Sequence, residues 1–185
     1  QATAAYRLGQ LQRSRGNFDQ AASWFLASLS SDSEPFHIHN ELQFTRCSDA
    51  LLPELVGFYT QLCKRQPERA LPRQLLAHYL LKQGRHQEGI AESRRATRLE
   101  LGDRSALLAP FEAEPTPPDF LILGVARGGT TALLRWLDNI PDLWCHPRKE
   151  LHFFDGRFHH GRDWYCAQFP RFQASACILR GEATP

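Results

Sequence analysis

Residues 119–139, DFLILGVARGGTTALLRWLDN, decide the fold. Phe120 to Val125 is a short, uninterrupted apolar run rich in strand formers, which predicts a strand covered on both faces within a parallel sheet. The run breaks at Arg127-Gly128-Gly129-Thr130-Thr131, where two glycines let the backbone turn sharply and bring its N–H groups close to a ligand. Leu133, Trp136 and Leu137 then recur at i, i+3 and i+4, so an amphipathic helix follows and stops at Asn139-Ile140-Pro141. Strand, glycine turn and helix N-terminus together make an anion site, because the unpaired first-turn N–H groups and the helix dipole both favour phosphate or sulfate. The competing reading is a joint whose glycines serve packing alone.

Gly124 to Gly129 has the spacing of the nucleotidase loop G-x-x-x-x-G-K-[ST], but Thr130-Thr131 follow, so the lysine that reaches terminal phosphates is absent. A basic residue stands before the glycine pair instead, as Arg127. Further along come an apolar Leu143-Trp144-Cys145, an irregular stretch to Phe154, a helix over Asp163 to Phe169 and a strand at Cys177-Ile178-Leu179. This alternation predicts an α/β unit with a largely parallel sheet. Between them, Arg148, Lys149, Glu150, His152 and Asp155 bracket Phe153 and Phe154 at spacings that fit no standard metal motif.

Four segments carry a family resemblance. The Arg127–Thr131 turn resembles the 5′-phosphosulfate-binding loop of sulfotransferases. Lys149 to Asp155 reads K-E-x-H-F-F-D, Trp164 to Pro170 reads W-Y-x-x-x-F-P, and Gly181 to Pro185 is similar to a G-E-K-[ST]-P segment. In this order they resemble the carbohydrate sulfotransferases of the heparan sulfate O-sulfotransferase type and their bacterial relatives.

The resemblance implies a P-loop-like α/β domain that uses 3′-phosphoadenosine 5′-phosphosulfate, needs no metal, and passes sulfate to a hydroxyl or amine acceptor, a carbohydrate above all. It implies Glu150 as general base, with His152 and Asp155 orienting or polarising the acceptor site. Arg127 sits at the loop's usual lysine, and Gly128, Gly129, Thr130 and Thr131 supply donors to the nucleotide. Two positions depart from the pattern. Arg127 is a guanidinium, which binds phosphate well but hardly titrates, so Lys149 is the nearest basic group to take over proton transfer. Ala183 stands where the G-E-K lysine is expected. Phe153, Phe154, Trp164 and Tyr165 read as core or pocket wall, and His159-His160 as loop with side chains pointing opposite ways. No segment matches the arginine and serine that hold the donor's 3′-phosphate. The domain is therefore expected to be cut short after Pro185, inactive alone, with sheet surface left bare.

Upstream, residues 1–102 resemble tetratricopeptide repeats. Tyr6-Arg7-Leu8-Gly9, Gly16-Asn17-Phe18-Asp19, Ala21 and Trp24-Phe25 give one match; Leu76-Ala77, Leu80, Gly84-Arg85-His86, Gly89-Ile90 and Ala96 give another. Gly16 and Gly84 lie 84 − 16 = 68 residues apart, two periods of roughly 34. The repeat between them is degenerate, with Ala50 at the turn and Leu55 at the small position, although Tyr59, Leu62 and Pro67 keep its character. Pro53 fits the first turn of a helix over Glu54 to Lys64. The expected fold is an α solenoid of helical hairpins that binds protein segments or mediates self-association. Arg94, Arg95 and Arg98 read as a solvated helix face. Residues 103–118, with the proline- and glutamate-bearing APFEAEPTPP at 109–118, read as a stiff linker, and 119–185 as the sulfotransferase portion.

Composition sets outer limits. With 185 residues, a net charge of +2 and 23% charged residues, bulk electrostatics predicts no nucleic-acid partner. No run reaches the roughly 18–20 apolar residues of a membrane span. Five scattered cysteines without C-x-x-C spacing argue against a disulfide framework and favour a reducing, cytoplasmic compartment, with a Golgi lumen the alternative for a eukaryotic relative. The chain opens on Gln1 without a leader, so an upstream start is expected. Two rival functions stand beside the enzyme: a non-catalytic scaffold with a degenerate second domain, favoured by Arg127 and Ala183, and a P-loop nucleotidase.

Overall fold

The computed structural model describes residues 2–29, 36–125 and 127–184. The chain divides into two compact units, Gln1–Leu62 and Cys63–Pro185.

The first unit is helical, with α1 (Ala2–Ser14), α2 (Phe18–Leu29), α3 (Phe36–Phe44) and most of α4 (Leu52–Arg65). α1 and α2 fold back on each other through Gly16, whose φ of 79° puts a left-handed residue at the turn, a conformation that costs glycine little. Ala21, Phe25 and Leu29 bury one face of α2, and Leu55, Tyr59 and Leu62 one face of α4. Pro53 occupies the first turn of α4 as expected, and Asp49–Leu51 forms a short 3-10 turn where a turn glycine is looked for and Ala50 stands. Asp19 accepts the Ser48 N–H at 2.7 Å, and this bond holds its carboxyl below the usual value.

The second unit opens with α5 (Ala70–Lys82) and α6 (His86–Leu99), joined through Gly84 at φ 77°. The two glycines spaced 68 residues apart in sequence therefore adopt the same turn. A three-stranded parallel sheet follows: β1 (Phe120–Leu123), β2 (Leu143–Cys145) and β3 (Leu179–Thr184), in the order β1-β3-β2. α7 (Thr130–Leu137) carries the crossover from β1 to β2, and α8 (Gly161–Ala167) lies in the return from β2 to β3.

Alternation along the strands splits the core into two layers. Leu134 and Leu137 of α7 pack on Phe120, Ile122, Cys145 and Ala183. On the opposite face Trp144 joins Phe153, Trp164, Tyr165, Phe169, Leu81 and Leu101. That second cluster includes no residue of β1. β1 is therefore not covered on both faces, as its apolar run suggested: Leu121 is 37% exposed and Leu123 71%. The last strand also lies later than expected. Cys177, left-handed at φ 50°, follows a 3-10 turn, and pairing begins only at Leu179. No helix among the described residues is long and apolar enough to cross a membrane.

The segment read as a stiff connector is fastened along its length. Leu108 bridges Phe172, the Ala109 N–H donates to Arg171 O at 2.8 Å, and Arg94 donates to the carbonyls of Phe111 and Ala113. The guanidinium of Arg94 lies 4.4 Å from the Phe111 ring centre, with Arg95 and Arg98 at 5.7 and 5.6 Å. These arginines are not a free solvated face; an aromatic ring and exposed carbonyls give them something better than water to hold. Beyond the ring, Arg180 of β3 donates to Asp119, Thr116 Oγ1 and the carbonyls of Pro117 and Pro170. Burial works to raise the Asp119 carboxyl, but the Arg180 hydrogen bonds outweigh it and keep the group below its usual value.

Arg180→Met leaves Asp119 facing that interior without its cation. A buried pair broken on one side costs about 3–5 kcal/mol, and with Asp119 partly exposed the expected loss is about 2–3 kcal/mol. Urea unfolding at neutral pH measures it, and the exposed Arg171→Ala should change stability by less than about 0.5 kcal/mol.

Candidate functional site

All three strands point the same way, so the turn after β1 and the segment after β2 leave the sheet at one edge, where ligands of open parallel sheets bind. At the first turn, Arg127 has φ 65° and Gly129, which caps α7, has φ 80°. The Gly128 N–H closes the turn onto Val125 O at 2.9 Å. Gly124 must lack a side chain, since a Cβ there would stand 2.6 Å from Thr130 Cγ2. Ala126 lies outside the described residues. Arg127, Gly128, Gly129 and Thr131 are exposed and Thr130 half-buried. The first-turn N–H groups of α7, at Thr130 and Thr131, have no helical acceptor and open toward this edge.

The second group hangs from β3. The Glu150 N–H donates to Ala183 O at 2.9 Å, which continues the β2 side of the sheet by one bond. Ala183 pairs with Ile122 of β1 on its other side. The Glu150 backbone and the end of β1 thus flank one residue of β3, about 10 Å apart at two strand spacings. Lys149 Nζ lies 2.5 Å from Glu150 Oε1, His152 Nε2 lies 3.7 Å from Glu150 Oε2, and His152 Nδ1 lies 2.9 Å from Asp155 Oδ2. The hydrogen bond from Lys149, with the charges of Lys149 and His152 behind it, holds the Glu150 carboxyl below its ordinary range. Asp155 is lowered in the same way by His152.

The structure therefore joins Lys149, Glu150, His152 and Asp155 into one chain of polar contacts. It sets Arg127 to Thr131 at the same sheet edge as a separate group, with no hydrogen bond or ion pair between the two groups among the described residues. Phe153 and Phe154 part company: Phe153 is buried and stacks on Tyr165 at 4.3 Å, whereas Phe154 is 54% exposed. His159 and His160 lie in a 3-10 turn rather than an extended loop, with ring centres 4.2 Å apart. Among the described residues no three His, Cys, Asp or Glu side chains gather as metal ligands. A cavity of about 760 Å³ opens at the other end of the strands, lined by Asp119, Leu179 and Arg180, and contains none of the predicted residues.

Several polar groups behind the site were given no role from sequence. His146 is fully buried; its N–H donates to Gly181 O at 2.8 Å and its Nδ1 receives the Arg148 N–H at 3.0 Å. Arg148 donates to Gln168 Oε1 at 2.9 Å. Burial pushes His146 well below its usual value and lowers Arg148, while it raises Glu100. Glu182 is also fully buried, accepting Tyr165 Oη–H at 2.7 Å and the Leu151 N–H at 3.2 Å. Arg148 and Glu182 stood within segments quoted from sequence, whereas His146 carried no signal beyond its nearness to them.

Comparison with known proteins finds sulfotransferases. Membrane-associated sulfotransferase kil1 of Dictyostelium discoideum is 33% identical over 69 residues, 37% of this chain and 15% of that protein. Mouse heparan sulfate glucosamine 3-O-sulfotransferase 3B1 is 32% identical over 135 residues, 71% of this chain and 32% of that protein. Mouse heparan sulfate glucosamine 3-O-sulfotransferase 3A1 is 44% identical over 54 residues, 29% of this chain and 14% of that protein. All three are sulfotransferases. The chain is related to them over a part that spans at most 32% of their length. No family model matches the chain. The small parallel sheet flanked by helices is compatible with a sulfotransferase-like α/β fold.

The Lys149 contact yields a titration test. A carboxyl lowered in the folded state adds stability above its unfolded value, and that contribution is lost as pH falls through the folded value. Lys149→Met should move the Glu150 carboxyl titration, followed by NMR, upward toward the ordinary range; an unchanged midpoint would show that Lys149 does not hold it.

Proposed function

We propose that this chain carries the donor loop and the general base of a sulfotransferase that moves a sulfuryl group from 3′-phosphoadenosine 5′-phosphosulfate to a hydroxyl or amine, most plainly a carbohydrate hydroxyl. The observation that supports it is the hydrogen bond from Glu150 N–H to Ala183 O, which puts a charged, depressed carboxylate at the same strand edge as the glycine turn. A general base must be ionised at working pH and within reach of the acceptor proton.

In the proposed step Glu150 takes the proton of the acceptor, the acceptor oxygen or nitrogen forms the new bond to sulfur, and the bond from sulfur to the bridging phosphate oxygen breaks. The departing oxygen keeps the electron pair. Arg127 and the N–H groups of Gly128 to Thr131 offset its charge without giving up a proton. Lys149, drawn to Glu150, holds that carboxylate ionised and is the titratable cation nearest to it. His152, between Glu150 and Asp155, orients the base. Residues 1–102 are read as tetratricopeptide-type hairpins that engage a protein segment or a second copy, on the strength of the shared Gly16 and Gly84 turns.

The test is isothermal titration of the full-length polypeptide with 3′-phosphoadenosine 5′-phosphate, together with sulfate-transfer assays. Arg127→Ala should weaken binding by about tenfold or more, as loss of a charge-assisted phosphate contact does. Glu150→Gln should bind within about twofold of wild type yet lose about 10²- to 10⁴-fold in kcat. Absence of saturable binding would leave the interaction scaffold as the better reading, and magnesium-dependent ATP binding the nucleotidase.

A further inference from the structure

Glu150 and His152 both have left-handed backbones, with φ of 64° and 53°, although neither is glycine. Such residues persist only where their surroundings over-determine them. Between them sits Leu151, 1% exposed in the core, with its N–H turned inward onto Glu182 Oε2 at 3.2 Å. Glu182 is itself fully buried, and its other oxygen receives the Tyr165 hydroxyl at 2.7 Å. The Tyr165 ring stacks on Phe153 at 4.3 Å, two residues beyond Leu151. One residue along β3, Ala183 O receives the Glu150 N–H. Two successive residues of β3 thus grip two successive N–H groups of the loop, one through its backbone and one through its side chain.

We infer that Glu182, held in place by Tyr165, is a positioning residue: it locks the 150–152 backbone in its left-handed form and so aims the Glu150 carboxylate and His152 at the sheet edge. A buried carboxylate that forms no salt bridge among the described residues needs a reason to be there. An apolar residue would fill the space but would leave the Leu151 N–H buried without an acceptor. The loop would then relax, and the base would swing away from Lys149 and His152.

This inference rests on the reading of Glu150 as the base, but the lock itself has a readout that needs no activity. Amide hydrogen exchange across 149–153 in the full-length protein should be about tenfold faster at Leu151 in Tyr165→Phe and in Glu182→Leu. In transfer assays those variants should lose about 10- to 100-fold in kcat, as small misplacements of a reacting group do, with the affinity for 3′-phosphoadenosine 5′-phosphate unchanged. The acid limb of the kcat profile should shift upward as Glu150 leaves Lys149. Glu182→Gln should restore most of what Glu182→Leu loses, because an amide can accept from Leu151 N–H and donate to Tyr165 Oη.

Unchanged exchange at Leu151 in both Tyr165→Phe and Glu182→Leu overturns the lock. A kcat in Glu182→Gln as low as in Glu182→Leu also overturns it, since that marks Glu182 as a proton carrier rather than a brace. Faster exchange in a protein whose wild type transfers no sulfate supports the lock and counts against the functional reading instead.

Discussion

β3 is the middle strand of the described sheet, and both parts of the candidate site are set by its pairing. Among the described residues β1 pairs with β3 alone, and so does β2. Packing of α7 on Cys145 links the two sides, but the backbone register that sets the glycine turn beside the Lys149–Asp155 segment comes from β3. These contacts are long-range in sequence, with about sixty residues between Phe120 and Gly181, and loop closure must precede any gain from them. The second unit is therefore expected to close late in folding, with its two edge strands waiting on a third.

β3 is also where the interior is most polar. Arg180 and Glu182 point to the same face, each buried and each satisfied by partners from other segments: Arg180 by the stretch leading into β1, Glu182 by α8 and the loop after β2. An apolar strand would gain more from burial, but it would place no register mark on the segments that cross it. The two side chains fix which residue of each neighbour lies opposite, because hydrogen bonds are directional where apolar contacts are not.

Legibility in the sequence followed the strength of the local pattern. The glycine turn, α7 and the Gly16 and Gly84 turns were readable because periodicity and backbone demands there are local. β3 was misplaced because Gly181-Glu182 is poor in strand propensity. A glycine is required there all the same, for the Phe120 ring lies over it where a Cβ would go. Tertiary context overrode local preference. The burial of Phe120 to Val125 was overread for the converse reason: an apolar run reports what a strand can bury, not how many layers cover it. Lys149, Glu150, His152 and Asp155 were found through a family pattern and do lie in contact, whereas Glu182 and Tyr165 were invisible as a pair, since no spacing rule joins residues on a strand and a separate helix.

The arginine-gripped stretch around Phe111 bears on how the protein can be divided. Its prolines make it look like a hinge, the place where a gene could be cut or a spacer added. Yet its carbonyls are acceptors for α6 side chains and for Arg171, and its ring is a platform for three guanidinium groups. Severing the polypeptide there would part Arg94, Arg95 and Arg98 from the ring they share, so α5, α6 and the sheet stand or fall as one piece, and a modular view that shuffles the helices apart from the sheet breaks the molecule at its seam.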